Sequence, residues 1–408
     1  VSPLSSLIDR YRRLSLGVEI LIFMMIGVVA GLLFGERATV VQPLGDLFIR
    51  LLLMAAIPLV FFNLLAALTG LSDARVLGRL GVKIIAYYLL TTTFALSLGL
   101  GFAHWFAPGR GIELTEEVPD SFGDIPTLTD VFLDLVPSNV VAAFAEGNVA
   151  QVVVFALLLG LASFLLADEQ RKPVDDLTQS LAELFRKLVG LILRIAPLGI
   201  GALAAATIGQ YGGSFFGPLA KFIGTVWSAQ FVMVGLYLTL LIVMGRMSPA
   251  RFLQKTGPLY ATAAATCSSL ASLSVSLDLA EKRLKLPRSV YAFTLPLGAQ
   301  LNKDGTSVML SAILIFTAQA ASVSFDLSTQ ITILVVGLIL SEGSGGIPGG
   351  GLVSALIFVE AFQLPLEIAA IVGGIYRLID MGSTTVNVMG DMVGTILVAR
   401  SEGHAVQS

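Results

Sequence analysis

Apolar stretches long enough to cross a bilayer recur along this chain, and that recurrence limits the fold more than any motif does. They fall at about 18–34, 45–69, 80–106, 148–167, 188–207, 221–245, 290–320 and 365–398, each close to the ~20 residues a spanning helix needs. Only 13% of the residues are charged and mean hydropathy is +0.87, whereas an ordinary soluble domain carries roughly 25% charged residues. The pattern predicts an all-α polytopic membrane protein. The first stretch follows a basic segment without a small-residue cleavage site, so it reads as a helix and not as a signal peptide.

Charge is distributed unevenly between the stretches. Segment 107–135 carries Glu113, Glu116, Glu117, Asp120, Asp124, Asp130 and Asp134 against Arg110. Basic residues gather at Arg10/Arg12/Arg13, Arg75/Arg79/Lys83, Arg171/Lys172/Arg186/Lys187, Arg246/Arg251/Lys255 and Lys282/Arg283/Lys285/Arg288. Cytoplasmic loops collect Lys and Arg, which puts the N-terminus inside and the acidic loop outside; the expected setting is a prokaryotic inner membrane with both termini in the cytoplasm. No basic patch is interleaved with aromatics, so nucleic acid is not an expected partner. One cysteine and two histidines exclude a disulfide framework and argue against a zinc centre; no cofactor is expected.

Three interruptions break the apolar pattern. Between Leu253 and Ser289 the run TAAATCSSLASLSVSL is too polar to face lipid and has basic residues at both ends, which suggests a hairpin entering and leaving on one side. Segment 341–351, SEGSGGIPGGG, holds glycine and proline at a density that breaks a helix. Irregular backbone at membrane depth survives only against protein or a watery cavity, and two interrupted segments point to a transporter site. The third interruption, Asn302-Lys303-Asp304-Gly305-Thr306, puts charge inside an apolar stretch, at a cost of about 2.5–3.5 kcal/mol per charge on insertion scales.

In the last stretch Ser383, Thr384, Asn387 and Asp391 follow Asp380 at +3, +4, +7 and +11, one face of a 3.6-residue helix. Such a stripe must face protein or water, and its oxygens suit a sodium-like cation or an ammonium group. An intramembrane enzyme is the rival class. It needs a Ser–His or Asp–Asp pair, but His104 lies near an exterior loop and His404 at the tail. Asp380 and Asp391 would stand ~16 Å apart along one helix, too far to share a proton.

The segments GDLFIRLL (45–52), YYLLTT (87–92), YAFTLPLGAQLNKDGTS (291–307), SEGSGGIPGGG (341–351) and IDMGSTTVNVMGD (379–391), in this order and spacing, resemble the glutamate transporter homologue family of dicarboxylate/amino acid:cation symporters. The resemblance implies eight spanning helices and two re-entrant hairpins in a homotrimer. A scaffold (14–78 and 127–215) would hold the trimer, and a transport domain (79–107 and 216–402) would carry substrate in an elevator-like movement. It also implies a pocket. Asp380 would hold an α-amino group, and Thr384 and Asn387 a carboxylate and neighbouring atoms. Ser268 and Ser269 form the first hairpin's tip, and Ile347 and Gly351 the second hairpin's cover. Gly298, Asn302, Asn387 and Asp391 match one sodium site, and Tyr88, Thr91, Thr92, Asn302 and Asp304 a deeper one.

Two departures from the family pattern bear on substrate and ion. Members that carry acidic amino acids place an arginine at the position of Ser383 or of Cys267, and here both are gone. A buried carboxylate without a partner is heavily penalised, so the residues point to a neutral amino acid, closest to the family's neutral amino acid transporters, with Ser383 leaving room in the pocket. Lys303 stands where the family usually has methionine, beside a third sodium site whose carbonyls correspond to Ser341, Glu342 and Ser344. The expectation is that Lys303, partnered by Glu342, replaces that third sodium. The alternative is that Lys303 snorkels to water and Glu342 caps a turn. Sodium is the expected coupling ion; proton-coupled or sodium-independent transport is the other reading, since a desolvated lysine can also titrate.

Overall fold

A computed structural model describes residues 16–69, 77–112, 133, 136–146, 149–211, 216–343 and 349–404, and among them the regular structure is entirely helical. Six expected stretches form helices where the apolar pattern put them: α1 (Leu16–Phe34), α2 (Gln42–Thr69), α3 (Val82–Phe106), α5 (Val149–Ser163), α8 (Phe216–Val243) and α15 (Leu366–Ser401). The short α4 (Val140–Ala145) precedes α5; the Asn139 side chain caps it, accepting from Val141 N at 3.0 Å and Ala142 N at 3.2 Å.

The other two stretches are divided. The one expected over 188–207 straddles a 51° bend between α6 (Asp168–Leu193) and α7 (Ala196–Tyr211). Pro197 has no N–H to give and disfavours helical backbone just before it, so the break falls there. The stretch at 290–320 splits into α11 (Arg288–Leu301) and α12 (Asp304–Ala320) at Asn302-Lys303. By length and composition alone, three helical stretches suffice to cross a bilayer among the described residues, or four if α6–α7 is one span. The expected count of eight spans is therefore not recovered by that measure, because several helices are short or carry a polar face.

Polarity is inverted relative to a soluble protein. Large apolar side chains stand exposed on the outside, among them Leu33, Leu90, Trp105 and Phe231, while Thr92, Asn302, Lys303, Asp304, Asp380, Asn387 and Asp391 are all buried. This is what a hydrocarbon solvent selects.

Side-chain contacts fix the directions of the helices. Glu402, just past α15, pairs with Arg79 and with Lys83 (2.5 Å) at the start of α3, and Arg400 Nε donates to Gly245 O beyond the end of α8 at 3.1 Å. At the opposite end Gln319, late in α12, donates to Ala103 O near the end of α3 and accepts from Gly109 N, both at 3.0 Å. Two helical hairpins enter between these ends. The first, α9 (Pro249–Thr266) and α10 (Ser269–Lys282), follows α8 and so starts from the Glu402 end; Arg283 donates to Lys255 O at 3.3 Å, closing its open mouth. The second, α13 (Leu327–Gly343) and α14 (Gly350–Ala361), follows α12 from the other end; Phe325 and Phe362 meet edge-on across its mouth with ring centroids 6.0 Å apart. The two hairpins thus point at each other, as the charge pattern suggested for the first.

The helices sort into two packed groups. Helices α1, α2, α5, α6 and α7 pack on one another, while α3 and α8 to α15 surround the hairpins. Within the first group α1 lies almost backbone to backbone on α7: a Cβ on Gly31 would sit 2.7 Å from Ala205 O and 2.9 Å from Gly209 N. Small residues four apart (Gly27, Gly31) permit that approach, which is how helices associate where burial from water offers no driving force.

Candidate functional site

The centre of the second helix group is polar because a broken helix, a long helix and two hairpin arms all end or pass there. At Asn302 and Lys303 the backbone leaves helical geometry (φ −72°, ψ 115° and φ −133°, ψ 36°). The break exposes two opposite poles. The C-terminal end of α11 carries partial negative charge and the N-terminal end of α12 partial positive charge. Lys303 and Asp304, adjacent in sequence, each stand at the complementary end. The Lys303 Nζ folds back to donate to Ala299 O at 2.8 Å and Asn302 O at 3.3 Å. Asp304 accepts from Thr92 Oγ1 at 2.7 Å and from the Tyr237 hydroxyl, and Thr91 also lies beside it. Lys303 is only 2% exposed. It does not reach water, which removes the snorkelling alternative.

Asn302 ties the break to α15. Its Nδ2 donates to Asn387 O at 3.1 Å and Asp391 Oδ1 at 2.9 Å. Asn387 replies from α15: its Oδ1 accepts from Gly305 N at 2.7 Å and its Nδ2 donates to Thr306 Oγ1 at 3.1 Å. Gly298 lets this packing close, since a Cβ there would run into Asp391 Oδ1 and the Tyr88 hydroxyl. Tyr88 donates to Thr294 O at 3.2 Å, and Thr91 donates to Tyr88 O at the same distance. The Asn302 Oδ1 is buried and has no hydrogen-bond partner among the described residues.

About two turns before Asn387 on α15, Asp380 is 5% exposed. Its Oδ1 accepts from Thr384 Oγ1 at 3.3 Å, and Tyr376 stands beside the carboxylate. Its Oδ2 is buried and, among the described residues, meets no donor in ordinary hydrogen-bond geometry, although the Tyr376 hydroxyl is close enough to donate to the carboxylate. A buried anionic oxygen without a donor is costly, and such a group calls for a ligand. Ser383 turns away from this position toward α8, where its Oγ accepts from Gln230 Nε2 at 2.9 Å; its backbone is so close to Gly305 that a Cβ on that glycine would strike it. The room expected beside Ser383 is therefore taken up by α8 and α12, which the sequence could not reveal. Arg377 donates to Ala265 O at 2.7 Å, tying α15 to the tip of the first hairpin.

Both hairpins reach this centre. The first turns at Cys267, in left-handed backbone (φ 49°), and Ser268, whose Oγ caps α10 by accepting from Ala271 N at 3.2 Å. Ser269 is buried next to it. From the second, Gly351 lies at the start of α14 so close to Tyr376 that a Cβ would stand 2.6 Å from its hydroxyl and 3.0 Å from Thr306. Ser341 is buried late in α13, with its Oγ donating to Leu338 O at 3.0 Å. Ile347 and Ser344 lie outside the described residues, and so does the side chain of Glu342, the expected partner of Lys303.

The sequence reading missed three residues that touch the site: Gln230, Tyr237 and Tyr376. A signal existed for two of them. Gln230 and Tyr237 are seven residues apart on α8, so they share a face, and a glutamine is conspicuous in so apolar a helix.

A buried cluster of carboxylates and amides, closed by hairpins from opposite ends of a lipid-facing helical bundle, defines a membrane transporter. Comparison with known proteins gives the family. The profile of the "SDF: Sodium:dicarboxylate symporter family" matches residues 16–401. The "Proton/glutamate-aspartate symporter" of Bacillus subtilis (strain 168) is 33% identical over 391 residues, covering 94% of each chain. The "C4-dicarboxylate transport protein" of the same organism is 31% identical over 401 residues, 96% of this chain and 94% of the relative. The "Proton/sodium-glutamate symport protein" of Geobacillus stearothermophilus is 28% identical over 405 residues, 96% of each. This chain belongs to the sodium:dicarboxylate symporter family: it is a secondary active transporter of the membrane and not an enzyme.

Proposed function

We propose that this protein is a cation-coupled symporter that carries an α-amino acid without a side-chain carboxylate across a prokaryotic cytoplasmic membrane. The observation that carries the reading is the buried Asp380 carboxylate, whose Oδ2 meets no donor in ordinary geometry among the described residues and offers the acceptor an α-ammonium group requires. Thr384 and Asn387 on the same face, with Ser268 and Ser269 from the first hairpin's tip and Gly351 from the start of α14, complete the pocket and supply donors for the α-carboxylate. For a side-chain carboxylate, Ser383 and Cys267 offer no guanidinium; Arg377 gives one N–H to Ala265 O and its charge already faces Asp380.

Coupling follows from the same chemistry. The deeper set, Tyr88, Thr91, Thr92, Asn302 and Asp304, holds the buried Asn302 Oδ1, which lacks a donor among the described residues and suits a small cation. Ion and substrate each neutralise charge that is expensive to leave exposed at membrane depth, so the loaded site moves more readily than a half-loaded one. The elevator assignment fits the packing: α1, α2 and α4 to α7 stay fixed in a homotrimer while α3 and α8 to α15 move as a unit.

A second reading is favoured by the relatives, which are named for glutamate–aspartate, glutamate and C4-dicarboxylate transport, one of them for proton and another for proton/sodium coupling. Here the chain carries an acidic amino acid or a dicarboxylate, with a proton in place of sodium. One experiment separates the two. Purified protein is screened for thermal stabilisation by neutral amino acids, glutamate, aspartate and C4-dicarboxylates, and the best ligand is then tested for uptake into proteoliposomes under sodium or proton gradients. Stabilisation by neutral amino acids alone supports the first reading. Stabilisation only by dicarboxylates or acidic amino acids overturns it in favour of the second.

A further inference from the structure

The cation site on α11 and α15 matched by Gly298, Asn302, Asn387 and Asp391 is already supplied with protein donors at each of its four residues. Gly298 O accepts from Asn302 N at 2.9 Å. Asn387 O and Asp391 Oδ1 both accept from Asn302 Nδ2, at 3.1 and 2.9 Å. Asn302 O accepts from the Lys303 ammonium at 3.3 Å, and the same ammonium takes Ala299 O at 2.8 Å. The positive charge lies within electrostatic reach of Asp391 and Asp304, and it is buried where no water screens it. Carbonyl oxygens at a helix C-terminus facing a carboxylate are what a sodium ion would use, and here a tethered ammonium meets them.

We propose that Lys303 is the resident cation of this α11–α15 site, so that the site takes no sodium, and that a mobile coupling ion is left the deeper set around Asp304. This rests on the reading of the chain as a cation-coupled symporter. It also moves the role of Lys303. The sequence linked it to the third sodium site through Glu342, whose side chain lies outside the described residues; the contacts described for its Nζ are with carbonyls at the α11 end. An ion that must enter and leave is replaced by a charge that travels with the protein, and the transport cycle then needs one ion fewer. Methionine at this position would leave Asn302 O and Asp391 without a cation.

The test follows thermal stability of the full-length purified protein against sodium chloride, with choline chloride holding ionic strength constant and no substrate present. An ion that binds only the folded state raises the melting temperature by mass action. Lys303→Met is expected to gain a sodium-dependent rise beyond that of the wild type, while Lys303→Arg, which keeps a cation, tracks the wild type. Superimposable sodium responses of wild type and Lys303→Met, apart from a constant offset, overturn the proposal. Asp391→Asn gives a second test that does not need Lys303→Met to fold. It should lower stability yet leave the wild-type sodium response unchanged, and loss of that response would show that Asp391 binds sodium with Lys303 in place. A wild type with no sodium response at all supports the proposal for this site. Because no substrate is used, an error in the substrate assignment fails the ligand screen and leaves these curves untouched.

Discussion

At the scale of single residues, the centre of this transporter is a set of charges that survive burial because each meets an opposite pole. Asp304 shows the arrangement most fully: both carboxylate oxygens accept a hydroxyl, Thr92 on one side and Tyr237 on the other. Removing one donor leaves a buried acceptor unmet, which typically costs 1–3 kcal/mol. Tyr237→Phe should therefore lower stability by about 1–3 kcal/mol, read as a shift in denaturation midpoint, and should also weaken any cation binding at the deeper set. Asp380 is the opposite case, a carboxylate whose Oδ2 meets no donor in ordinary geometry among the described residues. Asp380→Asn keeps the shape and removes the charge. It should leave the melting temperature of the unliganded protein equal or higher, while amino-acid binding falls by ~30-fold or more, the loss of about 2 kcal/mol or above expected when one member of a buried charge pair is truncated. Binding calorimetry with the ligand found in the screen checks it, and undiminished affinity would remove the ammonium from the Asp380 assignment.

At the scale of elements, two local devices set the geometry. One is the break between α11 and α12, where the exposed helix ends make the adjacent Lys303 and Asp304 compatible. The other is close backbone approach within the first helix group. Gly31 on α1 has no room for a side chain against Ala205 and Gly209 of α7. Gly31→Val should force these helices apart and cost at least 1–3 kcal/mol, the usual range for overpacking; a Val variant as stable as the wild type in detergent would show that α1 and α7 separate freely. The hairpins were legible in the sequence as breaks, through TAAATCSSLASLSVSL with its basic flanks and SEGSGGIPGGG with its glycines. Their mutual approach was not, because it depends on Arg283 meeting Lys255 and Phe325 meeting Phe362.

At the scale of the whole molecule, the ends of α3 and α15 are held together by Glu402 with Arg79 and Lys83. Hydrogen bonds from Arg79 and then Lys83 hold the Glu402 carboxyl below its ordinary range. A depressed folded-state value contributes stability above the unfolded glutamate pKa of about 4.3, and that contribution is lost as pH falls through the folded value. Glu402→Gln should therefore melt below the wild type near neutral pH, with the gap closing as pH drops below about 4 and narrowing in high salt, since Arg79 stands exposed to solvent. A gap independent of pH would place the effect of the substitution elsewhere.

The sequence by itself determined the solvent of this protein, the helical class, the stripe on α15 and the polar interruption at Asn302-Lys303; that the helix breaks there was decided by the structure. The first four are properties of residue spacing and of the cost of charge in hydrocarbon, both local. It also named Asp380, Asn387, Asp391, Asn302 and Asp304 before their contacts were known. Only the tertiary structure decided where the side chains point. Ser383 faces Gln230 and not an open pocket, α6 and α7 bend at Pro197 where one span was expected, and Lys303 seats on Ala299 and Asn302. Each of these depends on a partner distant in sequence or on the path of the backbone at a break, and no periodicity within one segment records either.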